Sequence, residues 1–480
     1  MKRLRWYDYI TINIFWLGLN IRNTALGSIF MPYLVALFAP EAVKNTALGA
    51  MRSAGLVIAM LVQPAAGMIS DRSMSRFGRR RPYILIGALF DCLFLAFIAL
   101  SWNYWALLVS VLLIQFSSNI SHGPLQGLIP DLVPEDQRGR ASALKSVMEL
   151  LPIILVGLTI AKLVGAGHLD WAIFATGASL LAVTLITVLF VKETPLEEKV
   201  TAPFWPPMLR VLGMLAGILI GGLAGLLGGG LVGGLAGLLA LALAGKTVAL
   251  PVAAGVGGGV AMIVAVVAGV WSGAYATLGE DARRRSSFTW WIANRLMFLA
   301  AATSLQGSIF YFVMYAFKLT SNAASNLTGT LTAVIGVFIL LSALASGWLS
   351  DRVGRTRLVL WSGIVAAIGN GLLLATIWLP SLVIVYIAGT IIGVATGLFM
   401  TANWALGTDL VPDAEAGRYL GVSNLAGAGA GIIGAGIGGL VADYINHFYM
   451  GLGYFAVFAA YAVLFALSAV CLLGVKTDKL

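Results

Sequence analysis

From Ile10 to Val475 the chain is a succession of apolar stretches, each long enough to cross a lipid bilayer. An α-helix needs about 20 apolar residues to span a hydrocarbon core of roughly 30 Å, and inside it every backbone N–H and C=O must bond within the protein. Stacked spans of this kind predict an all-α membrane protein. Charged residues make up only 10% of the 480 positions, against about 25% in an ordinary soluble domain. That is too few to cover a water-facing surface, so a soluble enzyme and a disordered chain are both excluded. Met1-Lys-Arg-Leu-Arg5 leads into apolar sequence with no small-residue cleavage site, so the first span is expected to be retained.

Six spans are predicted before residue 192, at 10–37, 46–69, 83–101, 104–128, 141–165 and 171–191. Six more follow residue 288, at 289–317, 328–349, 358–378, 382–406, 417–442 and 451–475. The two sets repeat each other. Gly27-Ser-Ile-Phe30 recurs as Gly307-Ser-Ile-Phe310, and Gly67-x-x-Ser70-Asp71-Arg72 recurs as Gly347-x-x-Ser350-Asp351-Arg352. Asp131-Leu-Val-Pro134 recurs as Asp409-Leu-Val-Pro412, and Gly139-Arg140 as Gly417-Arg418. Three domains are expected: a six-helix half at 1–195, a glycine-rich insert at 196–282 and a second six-helix half at 283–480. Internal repeats of membrane spans are a signature of transporters, with the substrate path between the halves.

The insert resembles neither half. Leu209 to Ala244 is apolar and glycine-rich and is too long for one upright span. It reads either as one overlong, tilted helix or as a helix broken at Gly228-Gly229-Gly230. A second insert span is expected over 250–276. Lys192 and Arg283-Arg284-Arg285 both read as cytoplasmic, so the insert must cross an even number of times, giving about fourteen spans. Its glycines offer small-xxx-small spacings at 225/229, 229/233, 230/234 and 233/237, suited to close packing of the two inserted helices or to a protein partner.

The net charge of +10 reflects topology rather than nucleic-acid binding. On the proposed topology, 24 of the 30 Lys and Arg fall on one side, from Lys2 and Arg3 to Lys476 and Lys479. The positive-inside rule makes that side the cytoplasm and places both termini there, in the plasma (cell inner) membrane. Cys92 and Cys471 lie within spans, so no disulfide framework is implied.

A charge inside a span is costly unless it is paired or wet, so each is a functional candidate. Arg22, Arg52, Asp91 and Glu149 qualify, all in the first half; Arg295 counts to the cytoplasmic end of its span. Arg22 and Glu149 are read as a pair in the cavity, either coupling a cation to transport or statically tying span one to span five. Asp91 is read as the partner of an arginine or hydroxyl in a neighbouring span. Asn23, Gln115, Asn119, His122 and Gln126 add polar groups in the first half, and Gln306, Asn403, Trp404 and Asn424 in the second. Amides beside aromatic rings suit a neutral polyol, and they also suit plain helix–helix hydrogen bonding.

Gly67-x-x-Ser-Asp71-Arg72 followed by Gly78-Arg79-Arg80-Arg81 resembles the signature loop of the major facilitator superfamily. That resemblance implies a conformational latch on the cytoplasmic face, with Asp71, Arg72, Arg79 and Arg80 in the first half and Asp351, Arg352 and Arg355 in the second. Asp71 through Pro82, with Asn119-Ile-Ser-His-Gly123-Pro124, is most similar to the sucrose-type glycoside–pentoside–hexuronide cation symporters. Where that group has an acid eight residues before the Gly-Pro glycine and an arginine three residues after it, this chain has Gln115 and Gln126. The resemblance implies a monomeric secondary transporter that moves a sugar or similar small polar solute by alternating access, coupled to H+ or Na+, with no cofactor. Two further readings are a carrier of a lipid-like substrate and a non-transporting assembly factor or receptor that uses the insert. Gly429-x-Gly431-x-x-Gly434 lies inside a span with no preceding strand, so it is packing rather than nucleotide binding. The three histidines lack metal-ligand spacing, and no nucleophile or phosphate-loop motif points to an enzyme.

Overall fold

The computed structural model describes residues 4–193, 195, 203–280, 282, 286–411 and 416–476. Lys2, Arg3, Lys199, Arg283, Arg284, Arg285, Pro412 and Lys479, and the side chains of Arg418 and Asn424, lie outside the described residues. Among those described, the chain is helical with no strand. The long helices are α1 Trp6–Phe38, α2 Glu41–Asp71, α3 Arg81–Ala99, α4 Tyr104–Leu132, α5 Glu135–Gly165, α6 Leu169–Phe190, α7 Trp205–Ala244 and α8 Lys246–Leu278. They continue as α9 Ser286–Ala316, α10 Ser321–Val353, α11 Arg355–Ala375 and α12 Leu382–Asp409, then α13 Ala416–Phe448 and α14 Leu452–Gly474. Thirteen of these are long and apolar enough to cross a membrane, and α13, at 33 residues, completes the set of fourteen long helices. Leu89, Phe90, Leu93 and Phe97 on α3 and Trp171, Phe174, Leu189 and Phe190 on α6 are exposed. Apolar faces of that extent match lipid rather than water. The chain is a multi-pass membrane protein.

The helices gather into two compact units, one of residues 1–38, 57–209 and 321–336, the other of 39–56, 210–320 and 337–480. In the first unit, Phe15, Trp16 and Leu19 of α1 pack with Ile84 and Ala88 of α3, Leu125 and Leu128 of α4, Ala141 of α5 and Leu180 of α6. In the second, Phe298 of α9 stacks on Phe399 of α12 at 3.6 Å between ring centres and meets Phe465 of α14 edge-on at 5.0 Å. One π-helical turn, Leu26–Phe30, interrupts α1 at the repeated Gly-Ser-Ile-Phe motif. The extra residue re-aims the rest of the helix by about 100°, one residue's rotation.

The insert is one unbroken helix followed by a second. α7 runs 40 residues without a break at Gly228 to Gly230; at 1.5 Å per residue this is about 60 Å, twice the hydrocarbon core. Gly245 joins it to α8 with φ +84°, a conformation that a side chain would strain. Six glycines spaced by four, from Gly217 to Gly237, form the buried stripe of α7. A Cβ on Gly225 would lie 2.5 Å from the Ala261 carbonyl oxygen of α8, and one on Gly233 would lie 2.5 Å from that of Ala253. Gly230 and Gly234 have nothing within 4 Å of such a Cβ. The 225/229/233/237 spacing is therefore the packing face, and the 230/234 pair is not. Gly225→Leu should lower thermal stability by about 1–3 kcal/mol or more by forcing α7 off α8, whereas Gly230→Leu should be tolerated. Equal melting temperatures of the two purified variants would contradict this packing.

Candidate functional site

Gly87 of α3 brings α3 and α4 together, since a Cβ there would lie 2.7 Å from the Ser117 carbonyl oxygen. One turn further along α3, Asp91 accepts a hydrogen bond from the Ser117 hydroxyl. Arg22 of α1 reaches the same carboxylate, with Nη2 to Oδ2 at 3.1 Å and both side chains 1% exposed. Arg22 also donates to the Ser118 hydroxyl. This is a sealed ion pair tying three helices; where the sequence left an arginine or a hydroxyl open as the partner of Asp91, the structure places both beside it.

The expected Arg22–Glu149 pair is not the arrangement found. Glu149 pairs with Lys145 of its own helix, one turn earlier, at 3.4 Å. Lys145 Nζ lies 4.2 Å from the centre of the Trp16 ring, and Trp16 meets His122 edge-on at 5.3 Å. Arg22 instead faces α3 and α4. Depth along a helix does not say which face a side chain occupies, and face decides the partner. Glu149 and Lys145 keep 33% and 31% exposure, so this pair, unlike Arg22–Asp91, remains open to solvent or solute. Lys145 was not singled out from the sequence, although its i, i+4 spacing from Glu149 is a helix ion-pair signal.

The signature loop folds as a network in the first unit. Arg80 pairs with Asp71 at 2.5 Å and with Asp131 at 2.9 Å and donates to the Ser70 hydroxyl at 2.9 Å. Arg79 is also paired with Asp131. The backbone N–H groups of Arg80 and Arg81 donate to Glu193 at 3.0 and 3.1 Å, placing a carboxylate on the positive end of α3. Gly127 leaves room for the Arg80 guanidinium, which a Cβ would strike. Arg72 donates to the Met68 carbonyl at 2.6 Å. In the second unit Arg355 pairs with Asp409 at 2.5 Å, and Arg352 lies 4.0 Å from the Trp348 ring centre. Asp351 is exposed and stands in no ion pair among the described residues. Asp131 and Asp409, which are repeat mates, thus each pair with arginine in their own unit, and Asp71 adds a second acid to Arg80 in the first. The repeat made both legible in the sequence, but not their pairing with these arginines.

Arg295 lies in the first third of α9 (Ser286–Ala316), towards the helix end expected of it, and is buried there. It is 8% exposed and donates from Nη1 to the Asn403 side-chain oxygen at 3.0 Å. Its guanidinium carbon lies 5.4 Å from the Trp404 ring centre. The remaining polar candidates scatter. Asn119 donates to the Gln115 carbonyl of its own helix at 2.7 Å. Asn23, Gln126 and Gln306 are exposed. Described residues hold no group of three or more His, Cys, Asp or Glu that could bind a metal.

A family model described as Major Facilitator Superfamily matches residues 16–290 and 296–479. Sucrose transport protein SUT1 of Oryza sativa subsp. japonica is 32% identical over 139 residues, 24% of this chain and 25% of that protein. The minor myo-inositol transporter IolF of Bacillus subtilis (strain 168) is 28% identical over 157 residues, 33% of this chain and 34% of that protein. The chain thus spans about a quarter to a third of these curated relatives. A D-xylose–proton symporter structure superposes with a TM-score of 0.66 at 14% identity, covering 98% of this chain and 97% of that one. The nucleoside transporter NupG (D323A mutant) superposes at 0.64 and 13% identity, covering 97% and 99%. At such identities these likenesses carry the fold alone.

Proposed function

This chain belongs to the Major Facilitator Superfamily, and on that premise we propose that it is a secondary active transporter of a small polar solute of the sugar or polyol class. The halves at 1–195 and 283–480 would alternate in exposing a site, with the 196–282 insert as a packed side element. The observation that carries this reading is the half-open Lys145–Glu149 pair beside Trp16 and His122. An aromatic face, a titratable carboxylate and a cation within one unit are what a polar solute and a coupling cation require. The transporters of sucrose and myo-inositol among the relatives support the solute class. An even set of fourteen helices supports termini on one side, and the basic loops support the cytoplasm for that side. Purified protein in vesicles should take up a labelled sugar or polyol and exchange it against unlabelled solute. Absence of both uptake and counterflow across sugars, polyols and organic acids would sink the transport reading in favour of a non-transporting membrane protein.

The Arg80 network is proposed to latch the transporter in one state. Asp131 is 19% exposed and holds two arginines, whereas Asp71 is 44% exposed and holds one. Solvent screens the second more strongly. Asp131→Asn should therefore slow exchange by about tenfold or more, roughly 1.4 kcal/mol in barrier, and by more than Asp71→Asn. Exchange rates unchanged in Asp131→Asn, with normal protein yield, would remove the latch role.

A further inference from the structure

A guanidinium taken out of water loses several kcal/mol of hydration unless a carboxylate or a full set of acceptors replaces it. Arg22 and Arg80 have carboxylates. Arg295 has none within ion-pair distance among the described residues, and the partners it does have are neutral: the Asn403 amide and the rings of Trp404 and Trp291. Its Nε is buried without an acceptor. Among the described residues only Nη1 makes a hydrogen bond.

The surroundings hold this arginine in place. Asn403 turns its amide oxygen to Arg295 because its amide nitrogen donates to Asn294 Oδ1 at 2.7 Å. Asn294 in turn donates to the Ser468 carbonyl at 2.7 Å, and Trp291 Nε1 donates to the Asn403 carbonyl at 3.0 Å. The chain of bonds runs from α14 through α9 to α12 and fixes each amide's orientation. A glutamine at 295 could tie α9 to α12 through the same Asn403 bond without burying a charge. Trp404 sits beside the guanidinium and is 38% exposed, leaving part of its ring open. A fixed cation with unused donors next to an accessible ring is a receptor for an anionic oxygen group on a small organic body. The planar fork of an arginine suits a carboxylate, which it can grip with two parallel bonds.

We infer that Arg295, oriented by Asn403 and flanked by Trp404, binds the carboxylate of a small organic acid. This deepens the transport reading, on which it rests for the idea that the ligand is cargo: the solute would carry a negative charge as well as an apolar face. A phosphate group, free or on a lipid, shares the chemistry, and the test separates the sources.

The full chain, in nanodiscs of neutral phosphatidylcholine, is titrated with glucuronate, gluconate, lactate, benzoate and inorganic phosphate, with glucose as the uncharged control. Tryptophan fluorescence, which Trp404 and Trp291 should dominate in the response, and melting temperature are read together. At least one carboxylate should bind saturably, with its Kd raised about tenfold or more in R295Q and less in R295K. W404F should keep binding but lose much of the fluorescence change, so the site stays testable even if R295Q folds poorly. Equal affinity in R295Q, or no saturable response to any carboxylate in wild-type protein, overturns the proposal. So does a response to inorganic phosphate alone, or one that appears only when phosphatidylglycerol is added to the nanodisc. Carboxylate binding without uptake in vesicles would sink the transport reading and leave this site standing. Sugar uptake that R295Q leaves intact, with no carboxylate bound, would do the reverse.

Discussion

Asp91→Ala should destabilise the protein by about 3–5 kcal/mol, because it leaves a buried guanidinium with no countercharge. Arg22 and Asp91 are each 1% exposed and face one another at 3.1 Å, so neither can be rehydrated in place. What remains to Arg22 after the change is the Ser118 hydroxyl, a neutral acceptor. Arg22→Met should cost a similar amount by stranding the carboxylate, which then keeps only the Ser117 hydroxyl. The double variant Arg22→Met with Asp91→Leu should be far more stable than the sum of the single effects predicts, since it removes both charges and fills the volume with apolar groups. Thermal unfolding of the four proteins gives the coupling energy directly. Additive losses would mean the pair does not act as a unit. Solute exchange measured on the double variant adds a second readout. The pair is expected to be a bolt between α1, α3 and α4, so exchange should survive in a double variant that folds. Normal folding without exchange would make Arg22 and Asp91 part of the transport cycle instead.

Glu149→Gln should abolish uphill accumulation while leaving downhill exchange, because an amide keeps the shape of the side chain and cannot take up or release a proton. The position fits that role better than Asp91 does: Glu149 is one-third exposed and its partner Lys145 is a flexible cation one turn away. A coupling carboxylate must alternate between a state paired with a cation and a state neutralised by a proton or another cation. In vesicles with an imposed gradient of one pH unit and no membrane potential, coupling to one proton limits accumulation to about tenfold, or roughly 1.4 kcal/mol. Glu149→Gln should fall to no accumulation at all, with counterflow intact. Lys145→Met should uncouple in the same way, and the double change should be no worse than either alone. Accumulation that persists in Glu149→Gln would move the coupling elsewhere. Loss of accumulation, counterflow and protein together would make the pair a helix-surface contact of structural value only.

The number and order of the long helices were legible because crossing a bilayer is a local requirement: each segment must be apolar and long enough on its own account. The repeat was legible for a similar reason, since Gly67 to Arg72 and Gly347 to Arg352 carry the same short loop in words that can be compared directly. Intramembrane charges could be listed because their rarity marks them. Their partners could not be listed. Arg22, Asp91 and Glu149 count to similar depths, yet Arg22 meets Asp91 and not Glu149. That choice depends on which helix faces meet, and at Asp91 a small residue on another turn, Gly87, lets α4 approach closely enough to bring Ser117 into reach.

Arg295 shows the same division. Counting along its helix placed it near the cytoplasmic end of the span and could not say that it is buried, since burial is set by the neighbours a residue meets and not by its distance from the helix end. Asn403 and Trp404 come from α12, more than a hundred positions later in the chain. In α7, glycines at many positions announced close packing, and only the contact with α8 separated the stripe that packs from the glycines that face outward. The sequence by itself determined that this is an all-helical, multi-pass membrane protein carrying an internal sequence repeat, because hydrophobicity and repetition are properties of a segment. The tertiary structure decided which charges are sealed, which stay open and which lack a countercharge, because those depend on helix faces brought together across distant parts of the chain.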